Sequence, residues 1–374
     1  MSDTGSAPPR RSPLHAQHQA RGASFTDFGG WLMPVRYTSD LAEHHAVRTA
    51  AGLFDISHMA EFVVTGDVAG GFLDAALAGR FTALRVHRAR YSLVLAESAG
   101  IVDDVIVYRL APERFLVIAN AGNRAPVRQA LQERAEGWDV EVADVSDDVA
   151  LVAVQGPRAV DVLAAVSGLT GLGAPLAALS YYAATDAVFA GSPVLIARTG
   201  YTGEDGFELL VPVAAAGALW DALLNAGEPH GLVPAGLAAR DTLRLEAGMP
   251  LYGHELSLEV TPAQAGLARV VAVEKEAYAG KSAIDAGAPP GAPVLVGLTG
   301  TGRRAGRAGY GVQHGDERVG AVTSGALSPT LGHPIAMAYV RPGFSAPGTE
   351  LTIDVRGTGV PVTVTSLPFY RRTT

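Results

Sequence analysis

The sequence predicts an α+β chain of two or three domains, the last a small β-barrel-like unit. Three observations point to this. At 374 residues the chain exceeds what one ordinary hydrophobic core organises. Strand and helix patterns mix through most of its length without a strict βαβ rhythm. After about residue 285 the texture changes to short β-rich runs separated by turn residues.

Taken in order, residues 1 to about 20, MSDTGSAPPRRSPLHAQHQA, read as a disordered tail. DLAEHHAVRTAAG predicts a helix from a cap at Ser39 or Asp40 to a stop at Gly52. RFLVIANA and VALVAVQG predict strands. GPRAVDVLAAVSG predicts a helix with Pro157 in its first turn and Gly168 past its end. SPVLIARTG and GFELLV predict two more strands. AAAGALWDALLNAG and GLAARDTLRLEAG predict helices ending at Gly227 and Gly248, with Pro250 beyond the second. DAGAPPGAP, Asp285 to Pro293, reads as a linker. Beyond it VLVGLTG, ERVGAVTSG, IAMAYV, ELTIDV and VPVTVTSL predict the strands of the barrel. The expected organisation is a tail at 1–20, a mixed α/β region at 21–284 and the barrel domain at 285–374.

Composition narrows the chemistry. A net charge of −8 without a basic block makes nucleic acid a poor partner. No apolar run reaches the roughly 18 residues that cross a bilayer, so no membrane association is expected. Arg10-Arg11 lacks the apolar stretch of a secretory signal, and the expected compartment is the cytoplasm, or the mitochondrial matrix for a eukaryotic source. The absence of Cys removes thiolate catalysis, Cys-based zinc sites, iron–sulfur ligation and disulfides. Only two lysines occur, Lys275 and Lys281 in VEKEAYAGKS, and their plain reading is a solvated turn. AGKS lacks the first glycine of a phosphate-binding loop, because Lys275 stands there. His44 and His45 are adjacent on a helix and point about 100° apart, and no H-E-x-x-H pair occurs, so no metal is expected.

Two segments place carboxylates where apolar residues are usual. AGIVDDVIVY sets Asp103 and Asp104 in a strand, where neighbours point to opposite faces. Asp104, Ile106 and Tyr108 share one side; Asp103, Val105 and Val107 share the other. At most one Asp serves a given cleft, and the plain alternative leaves both in water near Gly100. In ARTGYTGEDGFELLV the alternation puts Phe207, Leu209 and Val211 on an apolar face and Glu208 on the other with Leu210. A carboxylate there suits a ring with two adjacent N–H donors, as in a pterin or guanine; the plain alternative is a solvated edge strand. Arg240 and Arg244 lie one turn apart in AGLAARDTLRLEAGMPLYGHEL, either for an anionic ligand or as an intrahelical salt-bridge set. RARYSLVL and VIANAGN add Tyr91, Asn120 and Asn123.

Together FTDFGGWLMPVRY, GLFDISHMAEF, GIVDDVIVY, RTGYTGEDGFEL, PAGLAARDTLRLEAGMPLYGHEL and TSGALSPTLGHPIAMAYV resemble the tetrahydrofolate-dependent aminomethyltransferase (T protein) family of the glycine cleavage system, from about Phe25 to Arg371. The resemblance implies two mixed α/β folate-binding segments plus a C-terminal β-barrel, arranged around a central channel. It implies transfer of a one-carbon unit from the aminomethyl-dihydrolipoyl group of the lipoylated H protein to tetrahydrofolate. Ammonia and 5,10-methylenetetrahydrofolate are the products, with no metal, pyridoxal phosphate or flavin. The family's essential carboxylate falls on Asp104, leaving Asp103 as a turn or cap. Its folate contacts fall on Met59, Tyr91, Tyr108, Asn120, Tyr181, Tyr201, Glu208 and Arg240. Arg240 and Arg371 are both open as partners of the folate glutamate. Gln264, Arg269 and Ala99 depart from the family's usual Glu, aromatic and Gly. The rival readings are another folate-dependent demethylase of the same fold, or a non-catalytic folate-binding relative. Relatives of the latter kind that assist iron–sulfur assembly carry a signature Cys, absent here.

Overall fold

The computed structural model describes residues 8–372. Before the barrel the chain stacks four layers, helices, sheet, sheet and helices. The first sheet has seven strands in the order 169–170, 184–189, 192–197, 206–212, 149–155, 51–55, 232–234. The second has five, in the order 88–95, 101–111, 114–119, 60–65, 141–144. Helices Ala159–Ala164 and Val213–Gly227 cover the outer face of the first sheet around Trp220, Leu219, Phe207 and Leu209. Helices Ala69–Ala76 and Arg124–Arg134 cover the outer face of the second around Phe62, Phe72, Phe115 and Leu131. A third core, with Phe54, Leu151 and Ala153 from one sheet and Tyr108, Leu116 and Ile118 from the other, lies between them. The chain crosses from the first sheet to the second through Ile56–Met59, between strands Ala51–Asp55 and Ala60–Thr65.

Six strands close the C-terminal barrel, in the order 294–300, 334–340, 317–327, 311–314, 350–355, 358–365. The expected runs supply five of them. Gly311–His314 is the sixth, too short and polar to stand out in the sequence. All four predicted helices form, with shifted ends. Helix Asp40–Thr49 has the Ser39 cap, whose hydroxyl accepts from the Ala42 amide, but it stops before Gly52. Gly52 instead lies inside strand Ala51–Asp55, because that apolar segment pairs with strands 149–155 and 232–234.

Two expectations need correction. Residues 1–7 of the expected tail lie outside the described residues. Residues 8–20 are not disordered: Arg10–Arg11 pair with Trp31–Leu32, and His15–Ala20 form a helix. Leu14 and His18 anchor them, both fully buried, with His18 Nε2 2.8 Å from Asp55 and the Tyr37 hydroxyl 2.9 Å from His18 Nδ1. A polar-looking stretch is held by Leu14 and by Ser12 and His18 on Asp55, which composition does not reveal. Lys275 is likewise not solvated. It is buried, its Nζ donates to the carbonyls of Asp74, Leu77 and Gly79, and burial pushes its pKa down to about 8.

Candidate active site

The inner faces of the two sheets, the crossing segment 56–59 and the loop 248–252 enclose a cavity of about 450 Å³, within the range of small-molecule sites. Among the expected residues, Met59, Tyr91, Asp104, Asn120, Tyr181, Tyr201, Glu208 and Arg240 all line it. They come from sequence positions spanning nearly half the chain, Met59 to Arg240, so their convergence is a product of the fold.

Strand Ile101–Ala111 answers the question of the twin carboxylates. Val105 and Val107 enter the helix-covered core, so Asp103 on their side turns away from the cavity. Asp104, on the side of Ile106, reaches the cavity. There the Tyr91 hydroxyl donates to it at 3.0 Å and Asn120 Nδ2 at 2.8 Å. Asp103 is fully buried. It accepts from the Asn120 amide at 2.9 Å, from Asn120 Nδ2 at 2.8 Å and from Asn123 Nδ2 at 2.6 Å. It is therefore not a turn or cap residue in water. It ties down the loop that leads from strand Arg114–Ala119 into the next helix. Burial raises the pKa of both carboxyls, against the hydrogen bonds from Tyr91 and the two asparagines, and the Asp104 charge raises Asp103 further.

Glu208 lies in a central strand, not an edge, between strands 149–155 and 192–197. Phe207, Leu209 and Val211 point into the outer core, as the alternation requires. The Thr199 hydroxyl donates to Glu208 Oε2 at 2.5 Å, and the Tyr108 hydroxyl lies 3.1 Å from that same Thr199 oxygen. Burial raises the Glu208 pKa, opposed by Thr199 and by the charge of Arg240. The preceding loop wraps the buried Gln155 amide, which donates to the Thr199 carbonyl at 3.0 Å and accepts from Thr202 at 2.9 Å. Glycine is required beside it: a Cβ on Gly200 or Gly206 would come within 1.9 or 2.4 Å of that amide.

Helix Leu237–Glu246 separates the two arginines. Arg244 takes the salt-bridge role, 2.9 Å from both Asp241 and Glu255. Arg240 does not: it lies over the Tyr201 ring at 4.9 Å, and its Nη1 is buried without a hydrogen-bond partner among the described residues. Burial lowers its pKa, opposed by Glu208 and Tyr201, yet a guanidinium stays charged at neutral pH. The Tyr201 hydroxyl donates to the Pro250 carbonyl, fixing the 248–252 wall.

Two expected contacts are not at the cavity surface. Tyr108 is fully buried behind Thr199 and Glu208, so it positions that carboxylate instead of touching a ligand. Arg371 is exposed and does not line the cavity. The departures are peripheral too. Gln264 donates to the Pro293 carbonyl at 3.1 Å, Arg269 is exposed, and Ala99 takes a left-handed turn at φ 63°. Residues missed from sequence include His58, Phe28, Tyr182 and Tyr252. His58 and Phe28 stood inside two quoted landmarks, but nothing local marks them as cavity residues. Among the described residues the barrel supplies none of the lining; Ser324 accepts from Arg244 Nη2 at 2.7 Å and Tyr339 donates to the Glu255 carbonyl at 2.8 Å, bracing the wall from behind. No group of three or more His, Asp or Glu among the described residues is placed to hold a metal ion, and none of their helices is long and apolar enough to cross a membrane.

Comparison with known proteins fits this geometry. The GCVT N-terminal domain model matches residues 14–275, and the glycine cleavage T-protein C-terminal barrel domain model matches residues 294–371. The chain belongs to the glycine cleavage T-protein family. An aminomethyltransferase of Saccharopolyspora erythraea is 54% identical over 367 residues, covering 97% of this chain and 99% of that protein. One of Cutibacterium acnes is 53% identical with the same coverage. The crystal structure of glycine cleavage system aminomethyltransferase T from Bartonella henselae is 38% identical. It superposes with a TM-score of 0.89, covering 96% of this chain and 98% of that one. The family resemblance, the fold class and the enzyme class, an aminomethyltransferase of the glycine cleavage system, therefore hold for this T-protein chain.

Proposed function

We propose that the chain moves the one-carbon unit of an aminomethyl group, carried on the dihydrolipoyl sulfur of the H protein, onto tetrahydrofolate in the cytoplasm. The single observation that carries this is the convergence of Asp104 and Glu208 on one cavity, with Tyr91, Asn120, Tyr201 and Arg240 between them. Glu208 suits the adjacent N–H donors of a pterin, and Arg240 suits its acceptor oxygen. Tyr201 and Tyr181 supply aromatic faces. Asp104, held by Tyr91 and Asn120, orients the reacting folate amine and stabilises positive charge as it develops on the carbon.

The reaction balances without a redox partner. The carbon loses its bonds to sulfur and nitrogen and gains bonds to N5 and N10 of the folate. Those two nitrogens shed two protons; sulfur gains one to become a thiol, and the amine gains one to leave as ammonia. No protein nucleophile is needed, which suits a chain without Cys and with its one buried lysine fully engaged. Positioning carries much of the acceleration.

The test is a reconstituted reaction of the protein with tetrahydrofolate and aminomethyl-loaded H protein. Ammonia and methylenetetrahydrofolate should appear in equal amounts. Tight folate binding with no product would sink the proposal and favour a non-catalytic folate binder.

A further inference from the structure

His58 is a buried, cavity-lining histidine that the roles above leave unused. Two other fully buried histidines are partnered at both ring nitrogens. His18 meets Asp55 and Tyr37, at 2.8 and 2.9 Å. His44 meets Thr242 and Thr330, at 2.7 and 2.9 Å. His58 is only 3% exposed, and its Nδ1 has no hydrogen-bond partner among the described residues. A buried polar group left unpaired costs about 1–3 kcal/mol, so an unpaired one in a cavity wall points to a ligand.

Strand register locates it relative to the catalytic carboxylate. Ile106 pairs with Ile118, so Asp104 faces Asn120 two steps on. Ala60 pairs with Ala119, so Met59 faces Asn120 from the other side. Asp104, Asn120 and Met59 thus form a row across three strands, spanning roughly 10 Å at the usual inter-strand spacing. His58 sits just past its end. Its ring packs edge-on against Phe28, with centroids 5.5 Å apart. Phe28 ends one arm of a hairpin whose turn at Gly29 lies so close to the 121–122 loop that a Cβ there would be 3.3 Å from the Gly122 nitrogen. Asp104 and the 58–59 segment therefore lie on opposite sides of Asn120, and His58 lines the same cavity as both.

We propose that His58 seats the donor's amino group: a ring nitrogen accepts an N–H of the aminomethyl nitrogen while Glu208 and Arg240 hold the acceptor's ring. This rests on the function proposed above. In that chemistry Glu208 serves the ring's N–H donors and Asp104 the reacting folate amine; the aminomethyl N–H groups are the donors still lacking an acceptor. The neutral imidazole suits them. Burial, helped by the Arg240 charge and opposed by Asp55, lowers the His58 pKa to about 4. The ring therefore keeps a lone pair at physiological pH, and the adjacent guanidinium favours the donor's free amine over its ammonium form. His58 is thus a specificity residue for the donor.

The experiment is steady-state kinetics of His58→Leu and His58→Asn with aminomethyl-loaded H protein and tetrahydrofolate, with the tetrahydrofolate Kd measured on the same samples. His58→Leu should raise the KM for the loaded carrier about tenfold to a hundredfold, as loss of one buried hydrogen bond does. The Kd for tetrahydrofolate should stay within about twofold of wild type on that account. His58→Asn retains an acceptor and should recover most of the loss. An unchanged carrier KM in His58→Leu overturns the proposal. So does a parallel loss of folate binding, which would make His58 part of the folate site or the core, and so does equal damage from Asn and Leu. If the wild-type protein itself forms no methylenetetrahydrofolate, the functional reading has failed, whatever the His58 variants do.

Discussion

The two ends of helix Leu237–Glu246 treat buried charge in opposite ways. At its C-terminal end, against the barrel, Glu246 is saturated. It accepts from Arg48 Nη2 at 2.7 Å, from the Thr330 amide at 3.0 Å and hydroxyl at 2.7 Å, and from Ser328, with His44 at 3.2 Å. Arg48 also reaches Glu204 at 2.9 Å. One and a half turns earlier, facing the cavity, Arg240 keeps an unpartnered nitrogen, as does His58, and the Glu208 and Asp104 carboxyls line the same cavity. The saturated end holds the barrel to the α/β layers. The unsaturated end is costly to the apo fold and is where a ligand can repay the desolvation.

Substitutions should divide along that line. Arg48→Ala strands the Glu246 and Glu204 charges and should cost about 3–5 kcal/mol in denaturant unfolding, with folate affinity little changed in the molecules that remain folded. Glu208→Gln should do the reverse. Folate affinity should fall about tenfold to a hundredfold in a titration, by loss of a charge-assisted pair, while unfolding stability stays level or rises. If Arg48→Ala weakened folate binding as much as Glu208→Gln does, the two ends would not be separable.

Acid dependence sharpens the contrast. Burial alone would raise the Glu246 pKa, but hydrogen bonds from His44, Ser328 and Arg48 bring it down to about 2. Its folded pKa is depressed, so its contribution is present above pH 4.5 and is lost as pH falls toward 2. Asp103 and Asp104 have raised folded pKa values, so their contribution runs the other way, falling as pH rises from about 3.8. Melting temperatures from pH 2 to 8 should show a shallower acid loss in Glu246→Gln and a higher plateau near neutrality in Asp104→Asn. The smallest effect expected is at the strand entry. Ala99→Gly removes a left-handed strain of about 1–2 kcal/mol at φ 63° and loses roughly 0.5–1 kcal/mol to glycine entropy. The net gain should be between about 0 and 1.5 kcal/mol by thermal unfolding.

The contrast also explains what the sequence made legible. Side-chain alternation separated Asp104 from Asp103 and Glu208 from its apolar neighbours, because a period of two is a local property of a strand. It did not reveal that Asp103 is buried under Asn120 and Asn123, since those partners arrive from the next strand's end. Helix spacing brought Arg240 and Arg244 to one face but could not say which was paired; that was decided by Glu255 in the following loop and Ser324 in the barrel. Parity puts Tyr108 on the Asp104 side and the family resemblance makes it a folate contact, yet the opposing sheet closes over it. The ordered segment from residue 8 and the buried Lys275 do not stand out in the sequence because a few long-range partners decide both.

The central claim is that Asp104 works on the cavity side of its strand while Asp103 only supports the loop behind it. Single-turnover rates of Asp104→Asn and Asp103→Asn, with tetrahydrofolate bound and aminomethyl-loaded H protein in excess, test it most directly. Asp104→Asn should slow the transfer by about a hundredfold to a thousandfold, as removal of an electrostatic stabiliser does. Asp103→Asn should stay within about tenfold of wild type. A wild-type rate in Asp104→Asn, or a greater loss in Asp103→Asn, would contradict the account.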